Sequence, residues 1–348
     1  MSSKIIDRIV NESGFPTLAD FLAKDLSTSD LQSLLLHVFQ QRAAAVTEAD
    51  LLRSSSRPLV MPADIDARLI HLFDHVALAT ANEFEAIELS PVGPFGLNRA
   101  LGEIDQNNVL STIRNADVSG DPTVMMALEC ARRRRASPEV VRLCNSHRLV
   151  RMQPFDNPNF RPHFRLFSIV TAGRDTGSRQ FEIAALREHL RFYLRLFRDL
   201  NEVGFVLHNP LVELSDTTLI RQFIPAVEDR SVRAHVHGGS ERFLEKHGVT
   251  LPKNAPELDY LEKDVAGPLK EEFPEAEFRL NLERLEGLNY YNGVTLRISP
   301  TTPDGERHAI VDGGFTNWTA RLLQNRKERL LTSGIGSEFA CRRYRNNS

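Results

Sequence analysis

The sequence has no long apolar run and very little cysteine. No window approaches the roughly 18 consecutive apolar residues of a membrane helix, and the first 15 residues hold no stretch of signal-peptide type. Cys130, Cys144 and Cys341 form no CxxC pair and no zinc pattern, and His235 and His237 lack a third ligand at a useful spacing. We therefore expect a cytoplasmic protein without a membrane segment, a disulfide framework or a metal site.

An excess of positive charge is also absent. The 348 residues contain 43 Lys and Arg against 46 Asp and Glu, a formal net charge of -3, so no global basic field attracts nucleic acid. The basic run from Arg132 to Arg135 is typical of a solvated helix face, because charged side chains are rarely buried unless they are paired. Direct recognition of tRNA is not expected from this charge balance.

The residue pattern divides the chain into four segments. Residues 1–60 predict a helical N-terminal extension, in which Ser29 is a candidate N-cap for the second helix. Residues 61–215 predict the first part of a core domain, residues 216–274 a charged, loop-rich insertion, and residues 275–348 the second part of the core.

The core segments alternate between strand and helix patterns. Asp121 before Pro122 is a candidate cap for a helix over 123–135, and a long amphipathic helix is predicted over 180–200. Hairpin-like turns between the strands favour an α+β domain with a mostly antiparallel sheet and helices outside it. Strand patterns occur at 84–89, 147–153, 163–172, 203–214, 277–283, 294–298, 309–312 and from 330 onwards.

A strand, a polar loop and a second strand carry a candidate phosphate site. Arg151 and Gln153 precede the loop, and His163 and Phe167 follow it. An arginine on a rigid strand can hold a phosphate group through two parallel hydrogen bonds. An aromatic side chain on the second strand can stack on a flat ring.

Further short motifs follow in a fixed order. Residues 287–293 read Gly-Leu-Asn-Tyr-Tyr-Asn-Gly, residues 311–315 read Val-Asp-Gly-Gly-Phe, and residues 333–336 read Ser-Gly-Ile-Gly, six residues before Arg342. Earlier in the chain, a helix and a strand end near residue 91, and two strands surround Arg151. Together with the three short motifs, these segments resemble, in order, the signature motifs of class II aminoacyl-tRNA synthetases. The tyrosine pair is similar to the histidyl type, and the resemblance covers about residues 64 to 345.

The resemblance implies a six-stranded antiparallel sheet, a homodimer formed through residues 84–91, and an ATP site with Mg²⁺. It assigns the catalytic phosphate clamp to Arg151 and the nucleotide site to Arg151, His163, Phe167 and Arg342. It also implies a pocket for an amino acid or another small carboxylate, in which Asp121 and Thr123 face the amino group of the substrate. This pocket is lined by Asp121, Thr123, Glu286, Asn289, Tyr290, Tyr291, Gly313 and Gly314.

The sequence departs from the family pattern at several of these positions. Gln153 replaces an acid, Glu286 replaces the arginine before the glycine-leucine run, and Asn289 replaces an aspartate. A glutamate in place of an arginine repels a substrate carboxylate, so histidine activation is not expected. The sequence also ends about where the motif from Ser333 to Arg342 ends, so we expect no anticodon-binding domain.

Two functions remain open. In the first, the chain binds ATP and activates a carboxylate as an acyl-adenylate for an acceptor other than tRNA. In the second, it is a catalytically inactive regulatory or scaffold subunit with a catalytic partner chain, resembling the regulatory subunit of ATP phosphoribosyltransferase.

Overall fold

The computed structural model describes residues 3–153, 161–224, 244–245, 248–251 and 255–345. The candidate pair His235 and His237 lies outside these residues. Internal contacts divide the chain into two units. The first comprises Met1–Ala63, Ser90–Gly120 and Leu149–Phe164, and the second comprises Asp64–Leu89, Asp121–Arg148 and Arg165–Ser348.

Short helices make up most of the first unit. They are α1 (Ser3–Ser13), α2 (Leu18–Asp20, continued by a π-helical turn Phe21–Asp25), α3 (Thr28–Ala44), α4 (Glu48–Ser54) and α6 (Leu97–Ala100). The N-cap of α3 is Ser27, whose hydroxyl accepts the amide of Asp30, so the prediction of Ser29 was wrong by two residues. A 3₁₀ turn (Gln106–Asn108) and the antiparallel strands β2 (Val92–Pro94) and β3 (Ala116–Val118) complete this unit.

The second unit holds most of a large sheet and the longer helices. Its helices are α5 (Ala67–Thr80), α7 (Pro122–Ala136), α8 (Gln180–Glu202), α9 (Thr217–Phe223), α10 (Gly267–Glu272), α11 (Trp318–Leu323) and α12 (Ser337–Arg343), with a 3₁₀ turn (Pro256–Leu258) and a π-helical turn (Leu261–Ala266). The strands are β1 (Glu85–Ala86), β4 (Val141–Val150), β5 (His163–Arg174), β6 (His208–Asp216), β7 (Glu277–Leu280), β8 (Val294–Thr301), β9 (Val311–Thr316) and β10 (Glu328–Ile335).

The sheet confirms the α+β class and corrects the strand number. In the described part of the chain its order is β1-β4-β5-β10-β9-β8-β6-β7, which is eight strands and not six. The pairs from β5 through β10, β9 and β8 to β6 are antiparallel. The two short strands at the edges of the sheet, β1 and β7, pair in parallel with their neighbours β4 and β6.

Alternating side chains give this sheet two different faces, because successive residues of a strand point to opposite sides. One face is apolar: Phe167, Leu331, Phe315 and Leu296 belong to a single buried cluster with Leu190 of α8 and its neighbours. The other face carries polar and small residues, and the candidate pocket lies there. Leu261 and Leu269, from the predicted insertion, are part of the apolar cluster.

The arginine run on α7 is only partly a solvated face. Arg132 is exposed and pairs with Glu129, as expected for a helix surface. Arg134 is buried, and its guanidinium forms two hydrogen bonds with the carboxylate of Glu328 on β10, at 2.9 and 3.0 Å. The expectation was therefore wrong for Arg134, because a buried acid across the packing interface pairs with it. Among the described residues, no helix is both long enough and apolar enough to cross a membrane.

Candidate functional site

The centre of the candidate pocket is Asp121, the N-cap of α7. Its Oδ1 accepts a hydrogen bond from the amide of Thr123 at 2.9 Å and from the hydroxyl of Thr123 at 2.7 Å. The first of these bonds satisfies a free amide at the start of the helix, so the predicted cap is confirmed. Pro122 at the first helical position has no amide proton to satisfy, which suits this helix start.

Tyr290 approaches the same carboxylate from a distant part of the chain. Its hydroxyl donates to Oδ2 of Asp121 at 2.8 Å and lies 2.9 Å from the hydroxyl of Thr123. The helix cap occupies one carboxylate oxygen and Tyr290 occupies the other, so a cap alone does not explain the arrangement. Burial, followed by the negative charge of Asp121, raises the pKa of Tyr290 well above its usual value. Tyr290 is therefore a neutral phenol at physiological pH.

A turn and two glycines place the tyrosine pair. The amides of Tyr290 and Tyr291 both donate to the carbonyl of Gly287, at 3.0 and 2.8 Å, and Gly287 has a φ of 81° that favours glycine. A Cβ on Gly314 would lie 2.7 Å from the ring of Tyr291 and 2.9 Å from Thr295. Only glycine at position 314 therefore leaves space for the ring of Tyr291.

Gly313 has a different role from Gly314. A Cβ on Gly313 would lie 2.4 Å from the Cβ of Ser333 and 2.7 Å from the carbonyl of Thr332. Glycine at position 313 therefore allows β9 and β10 to lie close together, whereas glycine at position 314 leaves space for the ring of Tyr291 in the candidate pocket. The ring of Tyr290 also contacts Trp318 edge to face, with 5.0 Å between the ring centroids.

Charged side chains form a row beside the tyrosines. Asp312, Arg297, Glu213 and Arg279 lie directly opposite one another on β9, β8, β6 and β7, so their charges alternate across four strands. Glu213 accepts from Arg279 at 2.5 Å and from Asn281 at 2.8 Å. Burial opposes ionisation of Glu213, but these hydrogen bonds and nearby arginines outweigh it and lower the pKa of Glu213.

Arg284 contacts this row of charged residues, and the sequence did not predict its role. It is only 2% exposed, and its Nη2 donates to Asp312 at 2.5 Å while its Nη1 donates to the carbonyl of Leu296 at 3.2 Å. Glu286, two residues later, is half-buried and lies 3.4 Å from Arg297. The sequence places Arg284 two residues before Glu286, but no local signal marks an arginine that tertiary contacts will bury. Asn289 is also half-buried in this segment.

Arg151 and His163 belong to the first unit. Nε of Arg151 donates to the carbonyl of Gly120 at 3.0 Å, and its guanidinium carbon lies 5.5 Å from the centroid of the Phe164 ring. Nε2 of His163 lies 2.8 Å from the carbonyl of Met61. Both residues flank the loop of the predicted phosphate site, of which residues 154–160 lie outside the described part of the chain.

Phe167 and Arg342 belong to the second unit. Phe167 is 0% exposed, and its ring stacks on Phe192 of α8 with centroids 5.7 Å apart. Because the ring lies in the apolar core, it has no face on which adenine could stack. Arg342 donates to Glu338 one helical turn earlier at 2.7 Å, and Glu338 also pairs with Arg148 at 3.0 Å.

The segment predicted as strand 84–89 is shorter than expected. Only Glu85–Ala86 forms ladder pairs, opposite Leu143 and Cys144. The amide of Ile87 still donates to the carbonyl of Cys144 at 3.0 Å, and Asn145 donates to the carbonyl of Ile87 at 2.7 Å. The chain therefore follows β4 a little beyond the strand. Its predicted role in a homodimer stays a prediction.

Comparison with solved structures places this geometry in a known fold. The chain is similar to a protein from Bacillus halodurans described as an ATP phosphoribosyltransferase regulatory subunit/histidyl-tRNA synthetase, with a TM-score of 0.60 at 11% identity over 82% of each chain. It is also similar to a histidine-tRNA ligase subunit from Alicyclobacillus acidocaldarius, with a TM-score of 0.58 at 13% identity, over 81% of this chain and 95% of that one.

A third neighbour is the histidyl-tRNA synthetase of Nostoc sp. PCC 7120, with a TM-score of 0.53 at 17% identity, over 80% of this chain and 72% of that one. No family model matches the sequence, and no curated protein matches it. At these identities the likeness establishes the fold: the chain has the histidyl-synthetase-like class II core.

Proposed function

We propose that this chain is a regulatory, ligand-binding relative of the histidyl-synthetase fold that does not charge tRNA. The observation that carries the proposal is the hydrogen-bonded cluster of the buried Asp121 and Thr123 with the half-buried Tyr290. Two hydroxyl groups that donate their protons to one carboxylate keep lone pairs on their oxygen atoms. These lone pairs can accept further hydrogen bonds. Such a cluster suits the ammonium group of a small ligand.

Changes around this cluster favour regulation over catalysis. The ring of Phe167 is enclosed in the core, Gln153 stands where the family has an acid, and Glu286 stands where it has an arginine. One of the similar structures is described in part as a regulatory subunit of ATP phosphoribosyltransferase. By this proposal, ligand binding at Asp121 changes the activity of a catalytic partner chain.

The test of the ligand site is Asp121→Asn, with Asp66→Asn as its matched control. Asparagine is as good an N-cap as aspartate, so both variants keep their helix caps, at α7 and α5 respectively, and both lose one negative charge. We expect Asp121→Asn to weaken the binding of small amines and amino acids by about tenfold or more in calorimetric titration. Equal affinities of wild type and both variants would contradict the site.

The proposed regulatory role needs a separate measurement. The chain should co-purify at native expression with an enzyme whose activity changes on addition of the ligand, and Asp121→Asn should abolish that response while leaving the complex intact. Amino-acid-dependent pyrophosphate exchange by the purified chain alone would contradict regulation and favour an adenylating enzyme.

Nucleotide binding is the second candidate, and Arg151 is the observation that favours it. A carbonyl and an aromatic ring contact its guanidinium at the end of β4, which pre-orients a group suited to a phosphate. Mg²⁺ would neutralise further charge on a bound triphosphate. Arg151→Ala should abolish ATP binding in a titration with Mg²⁺, whereas Arg132→Ala on the surface of α7 should bind as the wild type does. Unchanged binding by Arg151→Ala would remove this clamp.

A further inference from the structure

The buried arginine Arg284 holds an acid that is itself accessible to solvent. The side chain of Arg284 is 1% exposed, whereas that of its partner Asp312 is 52% exposed. Nη1 and Nε of Arg284 donate to the backbone carbonyls of Leu296 and Glu286 at 3.2 and 3.3 Å, and Nη2 donates to Oδ1 of Asp312 at 2.5 Å. Burying a guanidinium is costly, so these three bonds fix Arg284 and, through it, one oxygen of Asp312.

The two oxygens of Asp312 have different surroundings. Oδ1 accepts hydrogen bonds from Arg284 and from the amide of Gly313 at 3.1 Å. Among the described residues, Oδ2 accepts no hydrogen bond. Arg297, opposite Asp312 on β8, pairs instead with Glu286 at 3.4 Å. Asp312 therefore presents an ionised acceptor whose direction is fixed through its other oxygen.

Asp312 borders the candidate pocket. It lies two residues before Gly314 on β9, so the two residues project from the same face of the sheet about 7 Å apart. The ring of Tyr291 fills the space beside Gly314, where a Cβ would lie 2.7 Å from it. The guanidinium carbon of Arg284 lies 5.9 Å from the centroid of the same ring. Arg284 therefore contacts both Asp312 and the tyrosine that lines the pocket.

The tyrosine pair connects Asp312 to the cluster around Asp121. The ring centroids of Tyr290 and Tyr291 are 4.8 Å apart, and the hydroxyl of Tyr290 donates to Asp121. A ligand whose ammonium group binds at Asp121 can thus extend along the tyrosine pair, and its other end then approaches Asp312.

We propose that Asp312, positioned by Arg284, accepts a hydrogen bond from an N–H or O–H group at the end of the ligand opposite its ammonium group. This inference rests on the proposed function, because it adds a second contact for the same ligand. Hydrogen bonds to an ionised acceptor are strong, and a fixed acceptor loses little freedom on binding. A ligand without such a donor takes water from Asp312 and gives nothing back.

The experiment compares ligands that do or do not carry this donor. The full chain is titrated by calorimetry with histamine, tyramine and phenethylamine, and with histidine and phenylalanine. We expect the compounds with an imidazole N–H or a phenol O–H to bind about tenfold or more tighter than their phenyl counterparts, in at least one of the two series. The phenyl ring is the more apolar group, so apolar burial alone predicts the opposite order.

Asp312→Asn tests the contact itself. Its amide oxygen can still accept from Arg284, so its NH₂ group replaces Oδ2 and meets the ligand donor as a second donor. The preference for donor ligands should disappear, whereas phenethylamine and phenylalanine should bind as they do to the wild type. Asp259→Asn removes the same charge from an exposed position and should keep the preference.

Arg284→Lys tests the positioning role. A lysine keeps the positive charge but cannot hold three acceptors in the plane of a guanidinium, so the preference should fall as it does in Asp312→Asn. Combining the two substitutions should cause no further loss, because both remove the same contact. The preference is a ratio of affinities measured on one preparation, which a smaller folded fraction does not change. If Arg284→Lys does not fold, the neutral Arg284→Gln takes its place.

Each other outcome overturns a defined part of the proposal. Equal affinities of donor and phenyl ligands, or a preference that survives in Asp312→Asn, overturn the contact at Asp312 and leave the ammonium site to its own test. A preference that is lost in Asp312→Asn but kept in the Arg284 variant overturns the positioning role. If Asp312→Asn removes the preference while Asp121→Asn leaves every affinity unchanged, the contact stands and the proposed ammonium site fails. No binding by any of the five compounds up to about 10 mM overturns both.

Discussion

The two faces of the central sheet come from the same strands but are stabilised in different ways. On the face toward α8, large apolar side chains such as Phe167, Phe315 and Leu331 pack into one buried cluster. On the opposite face, Asp121, Tyr290 and the alternating charges are held by directional hydrogen bonds. Apolar packing tolerates changes that keep volume, whereas a buried polar network fails when one partner is lost.

The difference between the two faces predicts that the apolar face contributes most of the stability of the fold, whereas the polar face determines which ligand binds. Variants on the first face should lower the free energy of unfolding in proportion to the volume removed. Variants on the second face should change ligand binding at a smaller cost in stability. The four tests below run from the largest expected change in the free energy of unfolding to the smallest.

Phe167→Ala should cost about 3–5 kcal/mol of unfolding free energy, because it opens a cavity in a fully buried stack against Phe192. Urea denaturation followed by circular dichroism measures this loss. Phe167→Leu is the control and should cost much less, since it keeps most of the volume. A loss below about 1 kcal/mol for Phe167→Ala would contradict the packing of this face.

Gly314→Ala should cost about 3 kcal/mol, because the new methyl group meets both Tyr291 and Thr295 below 3.0 Å. We expect ligand binding to fall with it, since Tyr291 must move. Gly267→Ala at the start of α10 has its nearest neighbour at 3.4 Å and should be nearly neutral. Comparable stability of the two variants in urea denaturation would show that Tyr291 has more space than the structure gives it.

His189 is a polar exception within the apolar face and makes stability depend on pH. Its ring nitrogens lie 2.7 Å from Ser333 and 3.1 Å from Thr171, and burial lowers the pKa of His189 to about 3. The unfolded chain binds this proton near pH 6.5 and the folded chain does not, so stability is present above that pH and is lost as the pH falls. His189 should contribute a loss of about 2 kcal/mol between pH 7 and pH 5.

Unfolding free energies at the two pH values measure this effect. The contribution of His189 is the part of the pH dependence that disappears in His189→Gln, whose amide does not titrate. An identical pH dependence in the variant and the wild type would contradict the assignment to His189.

Tyr290→Phe should cost about 1–2 kcal/mol of stability, because it removes one hydrogen bond to the carboxylate of Asp121. The more informative effect is on binding, where loss of an accepting hydroxyl should weaken the amine several-fold. Tyr260→Phe is the matched control, since the ring of Tyr260 lies elsewhere, against Arg179. A larger loss of binding in Tyr260→Phe than in Tyr290→Phe would place the ligand outside this pocket.

Much of the candidate pocket could be predicted from local sequence. The cap at Asp121 follows from Asp-Pro-Thr before a helix pattern, and the tyrosine pair stands in a run flanked by glycines. The family resemblance also implied that both Gly313 and Gly314 line a pocket. It did not distinguish them, because only the cross-strand register shows which Cβ would meet Tyr291 and which would meet Ser333.

Residues whose role depends on distant partners were harder to predict. Phe167 was expected to stack on a nucleotide, but its place on the strand turns it toward α8. Arg284 was not singled out at all, because an arginine near a loop is ordinarily a surface residue until a carboxylate such as Asp312 and a carbonyl from β8 enclose it.

The sequence by itself determined the order of the main helices and strands, the cap at Asp121 and the short motifs that contain Asp121 and Tyr290. These features depend on neighbours a few residues apart along the chain, which a single sequence displays. The tertiary structure alone decided which face of each strand is apolar toward α8, which arginines are buried, and which carboxylates pair with them. Those features arise between residues far apart in the chain, where the register of the strands sets the distances.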